Sequence, residues 1–358
     1  MDKKGNIIMG DSPFFSIVMP VYNSEEYLDD AILSILHQTY GDFELIIVDD
    51  CSTDKSAEIC KKYEKIDKRI RYVKTKGNKG VSNARNLGIS YINGQYCTFI
   101  DSDDWVDSYL LENIFSIIKK NHVDIVKYSV IEDYIDGGKC IGTSQFILKK
   151  RKYEDRQVKK IVPQMWADSL FSYLCNGFYN VRSTKIDKWH FDTNFSAGED
   201  ILMNLYAFNE SKSLYTTNYC GYHYAKRKNY SLSTNLSSYE YMHNYGECIK
   251  IMKRYCCDWG VMSRENRMII NWIYLKFYYQ TLCRRMMIEN KDIDETRRIL
   301  RETYYKEIYE REVCQCIMKR IIVDKVFKTN SLMLDRVFAY ILSFIINNCK
   351  VLLSKLKG

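Results

Sequence analysis

The chain has 358 residues, enough for one large domain or for a catalytic domain with an appendage. Its 46% hydrophobic and 14% aromatic content supports a packed core and excludes a disordered chain. The 13 cysteines show no C-x-x-C spacing and there are only 5 histidines, so neither a zinc site nor a redox motif is predicted. Because secreted disulfide frameworks are normally much smaller, we expect reduced thiols in a cytoplasmic protein.

The net charge of +8 favours anionic partners, among them phosphates and an anionic membrane surface. Nucleic acid is not expected, since no helix-turn-helix, zinc-finger or RNP-like signature accompanies the charge. The first residues lack the apolar stretch of a secretory signal, which also favours a cytoplasmic location.

The first predicted elements are a buried strand at Phe14–Pro20 and a helix with an apolar face from Leu28 to Leu36. Asn23, with Glu26 three residues later, is predicted to cap this helix. Three further strands, with helices between them, complete the pattern: Phe43–Val48, Ile70–Lys74 and Tyr96–Ile100. Four alternations of strand and helix are typical of a parallel sheet that helices cover on both faces.

Conspicuous polar groups follow these strands, where ligands bind in such sheets. Asp49 and Asp50 follow the second strand, and Asp101, Asp103 and Asp104 follow the fourth. In an extended strand Asp101 and Asp103 would project from one face and form a hard oxygen site, suited to Mg²⁺ or Mn²⁺. The alternative is that these aspartates form a solvated turn.

The second half of the chain is less regular. Segments 124–135 and 139–148 are predicted strands of a hairpin, and 149–160 is predicted as a solvated helix or loop. The run 196–200 opens a helix, in which Glu199 and Asp200 also suit the helix dipole. From about residue 236 the pattern is helical, which predicts a domain boundary near 231–235 and domains at 1–235 and 236–358.

The segment 337–346 near the C-terminus is almost entirely apolar, and basic residues outnumber acidic ones around it. It is too short to cross a bilayer, which needs about 20 residues. A helix that lies in the membrane interface fits this composition. A helix that packs on the protein or on a second copy fits it equally well.

Four blocks in this order and spacing resemble the family 2 glycosyltransferases, inverting nucleotide-sugar enzymes with the GT-A fold. The resemblance covers about residues 14–230 and rests on these blocks: Ser16–Asn23, Glu44–Asp54, Gly80–Asn86 and Phe99–Asp104. It implies an α/β fold with a Rossmann-like, mostly parallel sheet, followed here by a helical C-terminal region. It also implies a nucleotide-diphosphate sugar as the donor, with UDP favoured, and a glycan or lipid-linked acceptor.

The resemblance implies a role for each matching residue. The donor site would comprise Pro20, Tyr22, Glu25, Asp50, Asn83, Arg85, Asp101 and Ser102, with Asp50 accepting a hydrogen bond from the base. Asp103, with Asp101, would hold Mn²⁺ or Mg²⁺. Asp200 would be the general base, beside Glu199, and His223 falls in a stretch near the acceptor side, where a purely structural role is the alternative.

These residue types suit the chemistry. An inverting transfer is one displacement that needs a carboxylate to take the acceptor proton and positive charge to stabilise the leaving diphosphate. One departure concerns Gly177, because relatives often carry Lys or Arg after the asparagine at the position of Asn176. The alternative of a non-catalytic binding module on the same fold stays open. A pyrophosphorylase or a dehydrogenase is disfavoured, because the glycine-rich loop that either needs after the first strand is absent.

Overall fold

A computed structural model describes residues 12–195, 197–227, 236–305, 308 and 331–339. Ten strands form one sheet: β1 (Phe15–Val21), β2 (Phe43–Asp49), β3 (Ile70–Lys74), β4 (Tyr96–Phe99), β5 (Trp105–Val106), β6 (Ile125–Asp136), β7 (Lys139–Phe146), β8 (Arg151–Glu154), β9 (Gly177–Asn180) and β10 (Ser213–Arg227). The main path through the sheet runs β3-β2-β1-β4-β9-β6-β10-β5, with β7 paired to β6 and β8 paired to β10.

The helices of the first 210 residues are α1 (Leu28–Leu36), α2 (Ser56–Ile66), α3 (Val81–Ile89), α4 (Leu110–Asn121), α5 (Arg156–Lys160), α6 (Val162–Ala167) and α7 (Glu199–Glu210). The described helices that follow are α8 (Ser238–Asp258), α9 (Arg264–Cys283), α10 (Asp294–Ile299) and a helical segment at 332–339. Two π-helical stretches, Arg284–Ile288 and Leu300–Tyr305, extend α9 and α10.

The first four predicted strands are confirmed as parallel neighbours, with β1 at the centre between β2 and β4. The carboxyl ends of these strands therefore meet at one edge of the sheet. The second half of the sheet is mixed, since β9 runs antiparallel to both β4 and β6. The α/β fold with a helical C-terminal region is thus as predicted.

Side chains that alternate along β1 enter two different cores. Ile17 and Met19 pack with α1, α2 and α4 on one face of the sheet. Val18 packs on the other face, in a core that includes α3, α7, α8 and α9. Helices therefore cover both faces, as the alternating pattern predicts, and the described C-terminal helices share a core with the sheet.

Two local predictions are wrong. Asn23 does not cap α1: its backbone has a φ of 47°, and its side chain accepts a hydrogen bond from the Thr53 amide at 2.8 Å. The segment 149–160 is not only a solvated helix or loop, because β8 pairs with β10 within it. The strand β10 itself was not predicted, since its Tyr-rich sequence lacks strict alternation and two register shifts interrupt its pairing with β6.

The last described segment is fixed by one buried carboxylate. Asp335 accepts hydrogen bonds from the hydroxyls of Tyr278 (2.9 Å) and Tyr279 (3.0 Å) and from Arg297 Nε (2.7 Å). The predicted boundary at 231–235 lies outside the described residues, as does the segment 340–346 of the predicted apolar tail. None of the described helices combines the length and the apolar character needed to cross a membrane.

Candidate active site

Two loops at the carboxyl edge of the sheet are joined by hydrogen bonds between their backbones and side chains. The Ser24 amide donates to the Ser56 hydroxyl (2.8 Å), and the Lys55 amide donates to the Glu25 carboxylate (2.8 Å). The predicted donor-site residues Tyr22 and Glu25 are exposed in the first of these loops. Pro20 is buried in β1, directly before it.

Asp50 lies buried directly after β2, beside the first loop. Its amide donates to the Val21 carbonyl at 2.8 Å. Its carboxylate accepts hydrogen bonds from the Thr75 hydroxyl (2.8 Å), the Gly80 amide (2.7 Å) and the Lys79 amide (3.1 Å). A carboxylate has about four acceptor positions, so Asp50 orders the loop before α3 and keeps capacity for one further donor.

The residues Asp101–Asp104 form a turn, because β4 already ends at Phe99. The same-face argument from extended geometry is therefore wrong for Asp101 and Asp103. The two carboxylates nevertheless interact, because the Asp101 charge contributes to a raised pKa of Asp103. Ser102 within the turn is buried, and its hydroxyl contacts the Ser24 hydroxyl at 2.7 Å, which ties the turn to the first loop.

The three aspartates of this turn differ in environment. Asp104 is buried and accepts hydrogen bonds from the Tyr222 hydroxyl (2.6 Å) and the Ala225 amide (2.8 Å). The same Tyr222 hydroxyl accepts from the Asp101 amide at 3.2 Å. Asp104 and Tyr222 therefore fix the shape of the turn, while the Asp101 and Asp103 side chains stay 31% and 44% exposed.

Asp103 faces the end of β10. Arg227 donates to the Asp103 carbonyl at 2.7 Å, and its Nη1 lies 3.5 Å from Asp103 Oδ2. The Arg227 guanidinium also stacks on the Tyr27 ring at 3.8 Å. Burial, together with the Asp101 charge, raises the pKa of Asp103 to about 6, although Arg227 opposes this rise.

The donor set fits a hard divalent cation that takes most of its ligands from substrate and water. Asp101 and Asp103 offer two neighbouring, partly exposed carboxylates, and Mg²⁺ is commonly bound by one or two carboxylates plus phosphate oxygens. Within the described ranges, no group of three or more His, Cys, Asp or Glu side chains has the arrangement of a metal site. The protein side chains therefore suit a partial coordination shell.

Arg85 lies at the centre of the site, in α3, and only 6% of its side chain is exposed. Its Nη1 donates to Glu199 Oε1 (2.9 Å) and to Asp200 Oδ1 (2.7 Å). Its Nη2 lies 3.3 Å from Asp101 Oδ1. The resemblance implied a position near the donor phosphates; in the structure the guanidinium joins the turn after β4 to the start of α7.

Asp200 has the properties of a carboxylate that can exchange a proton near neutral pH. Burial raises its pKa to about 7, the charges of Glu199 and Asp101 contribute to the rise, and Arg85 opposes it. The Leu174 amide donates to Asp200 Oδ2 at 3.3 Å. The preceding Gly198 has a φ of 87°, which a residue with a side chain rarely adopts, and this turn directs both acids toward Arg85.

The other predicted residues divide between the site and the scaffold. Asn83 lies half-buried in the first turn of α3. His223 lies between two carboxylates, 2.8 Å from Asp133 and 3.4 Å from Asp107, and stacks on Trp105. Since neighbouring strand residues point to opposite faces, His223 points away from the face on which Tyr222 meets Asp104. These contacts favour the structural role for His223.

Sequence reasoning missed three residues that shape the site: Lys127, Tyr222 and Arg227. Each lies on β6 or β10, in the mixed half of the sheet. The available signal for Arg227 was a basic residue at the end of the Tyr-rich segment 213–227. For the other two, only the pairing of distant strands brings them to the site, and no local motif indicates it.

Several known proteins resemble this chain in sequence or in fold. The family description "Glycosyl transferase family 2" matches residues 16–179. The glycosyltransferase GlyA of Streptococcus pneumoniae is 43% identical over 110 residues, which are 31% of this chain and 16% of GlyA. The minor teichoic acid biosynthesis protein GgaB of Bacillus subtilis is 33% identical over 219 residues, 60% of this chain and 23% of GgaB. The matched regions thus span less than a quarter of either relative.

The solved structure of Staphylococcus aureus TarS 1–349 in complex with UDP-GlcNAc superposes with a TM-score of 0.61 at 18% identity. The superposition covers 89% of this chain and 92% of that one, so the two share a fold. These matches identify a family 2 glycosyltransferase domain at residues 16–179, the part of the chain that holds the parallel strands.

Proposed function

We propose that this protein is an inverting glycosyltransferase that moves a sugar from a nucleotide-diphosphate donor, with UDP favoured, to a hydroxyl of a cell-surface glycan or lipid-linked acceptor. The observation that carries the proposal is the Arg85 clamp, which joins Asp101 on the donor side to the acid pair of Glu199 and Asp200. A displacement at an anomeric carbon needs the bound donor and the carboxylate base beside the same carbon atom.

The donor half rests on the carboxyl edge of the parallel strands, where nucleotides bind in such folds. Exposed Tyr22 and buried Asp50 flank the joined loops, where they would receive the base. Asp50 would accept a hydrogen bond from the base with its remaining lone pair. The TarS structures in complex with UDP and UDP-GlcNAc support a uridine donor by analogy.

The proposed base is Asp200, which would take the proton from the acceptor hydroxyl. A general base works best when its pKa lies near the working pH, and the pKa of Asp200 is raised to about 7. Arg85 and the Leu174 amide hold its two oxygens in place. Such a base typically contributes about 10²–10⁴-fold to the rate.

Asp103 and Asp101 would hold Mg²⁺ or Mn²⁺ against the donor diphosphate. When bound, the cation would stabilise negative charge on the departing nucleotide diphosphate. Arg227, already beside Asp103, supplies further positive charge at the same edge. The cation would then balance negative charge on both partly exposed carboxylates and on the donor diphosphate.

The acceptor is proposed to be an envelope polymer or its lipid-linked precursor. TarS of Staphylococcus aureus bears the name poly(ribitol-phosphate) beta-N-acetylglucosaminyltransferase, and GgaB that of a minor teichoic acid biosynthesis protein. A net charge of +8 suits an anionic acceptor of this kind.

Peripheral contact with an anionic membrane at the cytoplasmic face is a further part of the proposal. The helical segment 332–339 exposes Met333 and Val337 by 76% and 46%, on the side opposite buried Asp335. An apolar face next to a basic tail is the composition that interfacial helices use.

A panel assay tests the function. The protein is incubated with Mn²⁺ and with UDP-, GDP- and dTDP-sugars, and the released nucleotide diphosphate is measured. We expect slow release from one UDP-sugar that EDTA abolishes and Mn²⁺ restores. The second candidate function, a non-catalytic sugar-nucleotide or glycan-binding module, predicts binding without release from any donor, even when acceptor glycans are added.

A further inference from the structure

One buried cation near the site has no part in the chemistry described above. Lys127 lies in β6 with none of its surface exposed. Its ammonium donates to the Tyr173 carbonyl (2.7 Å) and to Asn176 Oδ1 (2.8 Å) and lies 5.4 Å from the centre of the Tyr179 ring. In the part of the chain that the structure describes, both of its hydrogen-bond acceptors are uncharged.

A buried ammonium held by neutral oxygens is costly, because it loses its hydration without gaining an ion pair. Burial accordingly lowers the pKa of Lys127 to about 7, because it disfavours the charged form. The charges of Cys175 and Asp200 act to raise the same pKa. A Met side chain would fill a similar volume without this penalty. The lysine therefore needs a reason that core packing does not supply.

The segment that Lys127 holds leads directly to the proposed base. The Tyr173 carbonyl and the Asn176 side chain bracket Leu174, whose amide donates to Asp200 Oδ2 at 3.3 Å. Asn204, one turn after Asp200 in α7, donates to the same Tyr173 carbonyl at 3.1 Å. The loop at 170–176 thus connects β6 to the first turn of α7.

Further bonds leave this loop little freedom. Asn176 Nδ2 donates to the carbonyls of Tyr128 (3.2 Å) and Leu170 (3.1 Å). The Tyr179 hydroxyl donates to Asn204 Oδ1 at 2.7 Å. Position 177, opposite Lys127 in the strand pairing, is glycine, and a Cβ there would collide with the Tyr179 hydroxyl. The Lys127 ammonium joins this network at the Tyr173 carbonyl and at the Asn176 side chain.

We propose that Lys127 is a positioning residue for the transfer reaction, which fixes the 170–176 loop and through the Leu174 amide orients the Asp200 carboxylate. This inference rests on the proposed function only for its effect on rate. The effect on the loop itself is independent of any substrate.

The test compares two lysines that act at opposite ends of α7. Lys127→Met removes the ammonium near Asp200. Lys159→Met is the matched control, because Lys159 donates to the carbonyls of Phe208, Asn209 and Ser211 at the far end of the helix. Burial also lowers the pKa of Lys159, to about 8, so both variants remove a lysine held by carbonyl oxygens.

Two readouts are measured on each full-length variant: hydrogen exchange of the peptide that spans 170–176, and kcat and KM for the UDP-sugar. We expect Lys127→Met to speed exchange in this peptide and to lower kcat about 10- to 100-fold at unchanged donor KM, as misplacement of a reacting group does. We expect Lys159→Met to change neither. Lys127→Gln, which keeps one donor, should give intermediate values and replaces the Met variant if that variant does not fold.

The inference would be overturned if Lys127→Met had the same hydrogen exchange and the same kcat as the wild type. It would also be overturned if Lys127→Met and Lys159→Met lowered kcat equally. If the wild type itself transfers no sugar, the proposed function fails. The exchange comparison then decides alone whether Lys127 fixes the loop.

Discussion

Arg85 Nη1 lies 2.7 Å from Asp200 Oδ1, although the two residues are 115 positions apart in the sequence. The contact connects the middle of α3 to the first turn of α7, and both helices pack in the same core on one face of the sheet. It places the only guanidinium named in the four sequence blocks against the proposed base. The ion pairs of buried Arg85 therefore hold Asp101, on the donor side, close to the proposed base Asp200.

Removal of Arg85 should destabilise the fold as well as abolish transfer. Arg85→Met leaves the half-buried Glu199 and Asp200 carboxylates without their counter-ion, and loss of one partner of a buried pair typically costs up to about 3–5 kcal/mol. Urea unfolding monitored by circular dichroism measures the change. Arg71→Met is the control, because Arg71 is exposed on β3 and its guanidinium lies over the Tyr91 ring. A stability loss in Arg85→Met no larger than that of Arg71→Met would contradict the clamp.

The rate should fall as the pH drops below about 7. Asp200 must be ionised to accept a proton, and burial raises its pKa to about 7. The pH profile of kcat with saturating donor measures this limb. In Arg85→Lys the single ammonium cannot contact both acids as the guanidinium does, so the limb should move to higher pH. A profile that stays flat from pH 5 to pH 8 would exclude Asp200 as the base.

The free energy of unfolding should also depend on pH through Asp200, and the raised pKa fixes the direction of this dependence. The folded pKa of Asp200, about 7, lies above the ordinary value of 3.8 for an aspartate, so the folded state binds more protons between these values. The contribution of Asp200 to the free energy of unfolding is therefore fully present below pH 3.8 and is lost as the pH rises toward 7. The difference in unfolding free energy between the wild type and Asp200→Asn should decline across that window. A difference that increases with pH would contradict this assignment.

Neighbouring aspartates of the turn should behave differently. Asp103→Asn should lose metal-dependent UDP binding while its unfolding midpoint stays near that of the wild type, because the side chain is partly exposed. Asp104→Asn should lose about 1–3 kcal/mol of stability, since its amide group faces a donor, either the Tyr222 hydroxyl or the Ala225 amide. Calorimetric titration with UDP and Mn²⁺ and thermal unfolding separate the two. A loss of stability in Asp103→Asn together with a loss of UDP binding in Asp104→Asn would contradict these roles.

Membrane contact should depend on the exposed face of 332–339. Met333→Gln combined with Val337→Gln should reduce sedimentation with anionic vesicles, because both side chains are largely exposed. Deletion of the whole tail is a poorer test, since it also removes Asp335 and leaves Tyr278 and Arg297 without their buried acceptor. Unchanged sedimentation of the double variant would exclude this face as a membrane contact.

Local patterns predicted the parallel half of the sheet well. Continuous apolar runs predict β1 to β4, and helical periodicity predicts the helices between them. Each of these patterns extends over only about ten neighbouring residues. The family blocks then indicated Asp50, Arg85 and Asp101 as site residues. The structure brings these three to the carboxyl edge of the same strands.

The rest depends on distant pairing that no local pattern encodes. The Asn23 prediction was wrong because Thr53, thirty residues later, takes its side chain into a loop contact that outcompetes a helix cap. Tyr222 and Lys127 lie on strands whose partners are far away in sequence, and their roles appear only when β10 and β9 pair with β6. The strand geometry assumed for Asp101–Asp104 was wrong because Asp104 turns inward to meet Tyr222.

The most direct test of the account compares donor binding and transfer in the wild type and Asp200→Asn, with Mn²⁺ and the UDP-sugar that the panel selects. The account predicts donor affinity equal to that of the wild type and a transfer rate about 10²–10⁴-fold lower in the variant. A variant that transfers sugar at the wild-type rate would contradict the assignment of Asp200 as the base and, with it, the role of the Arg85 clamp.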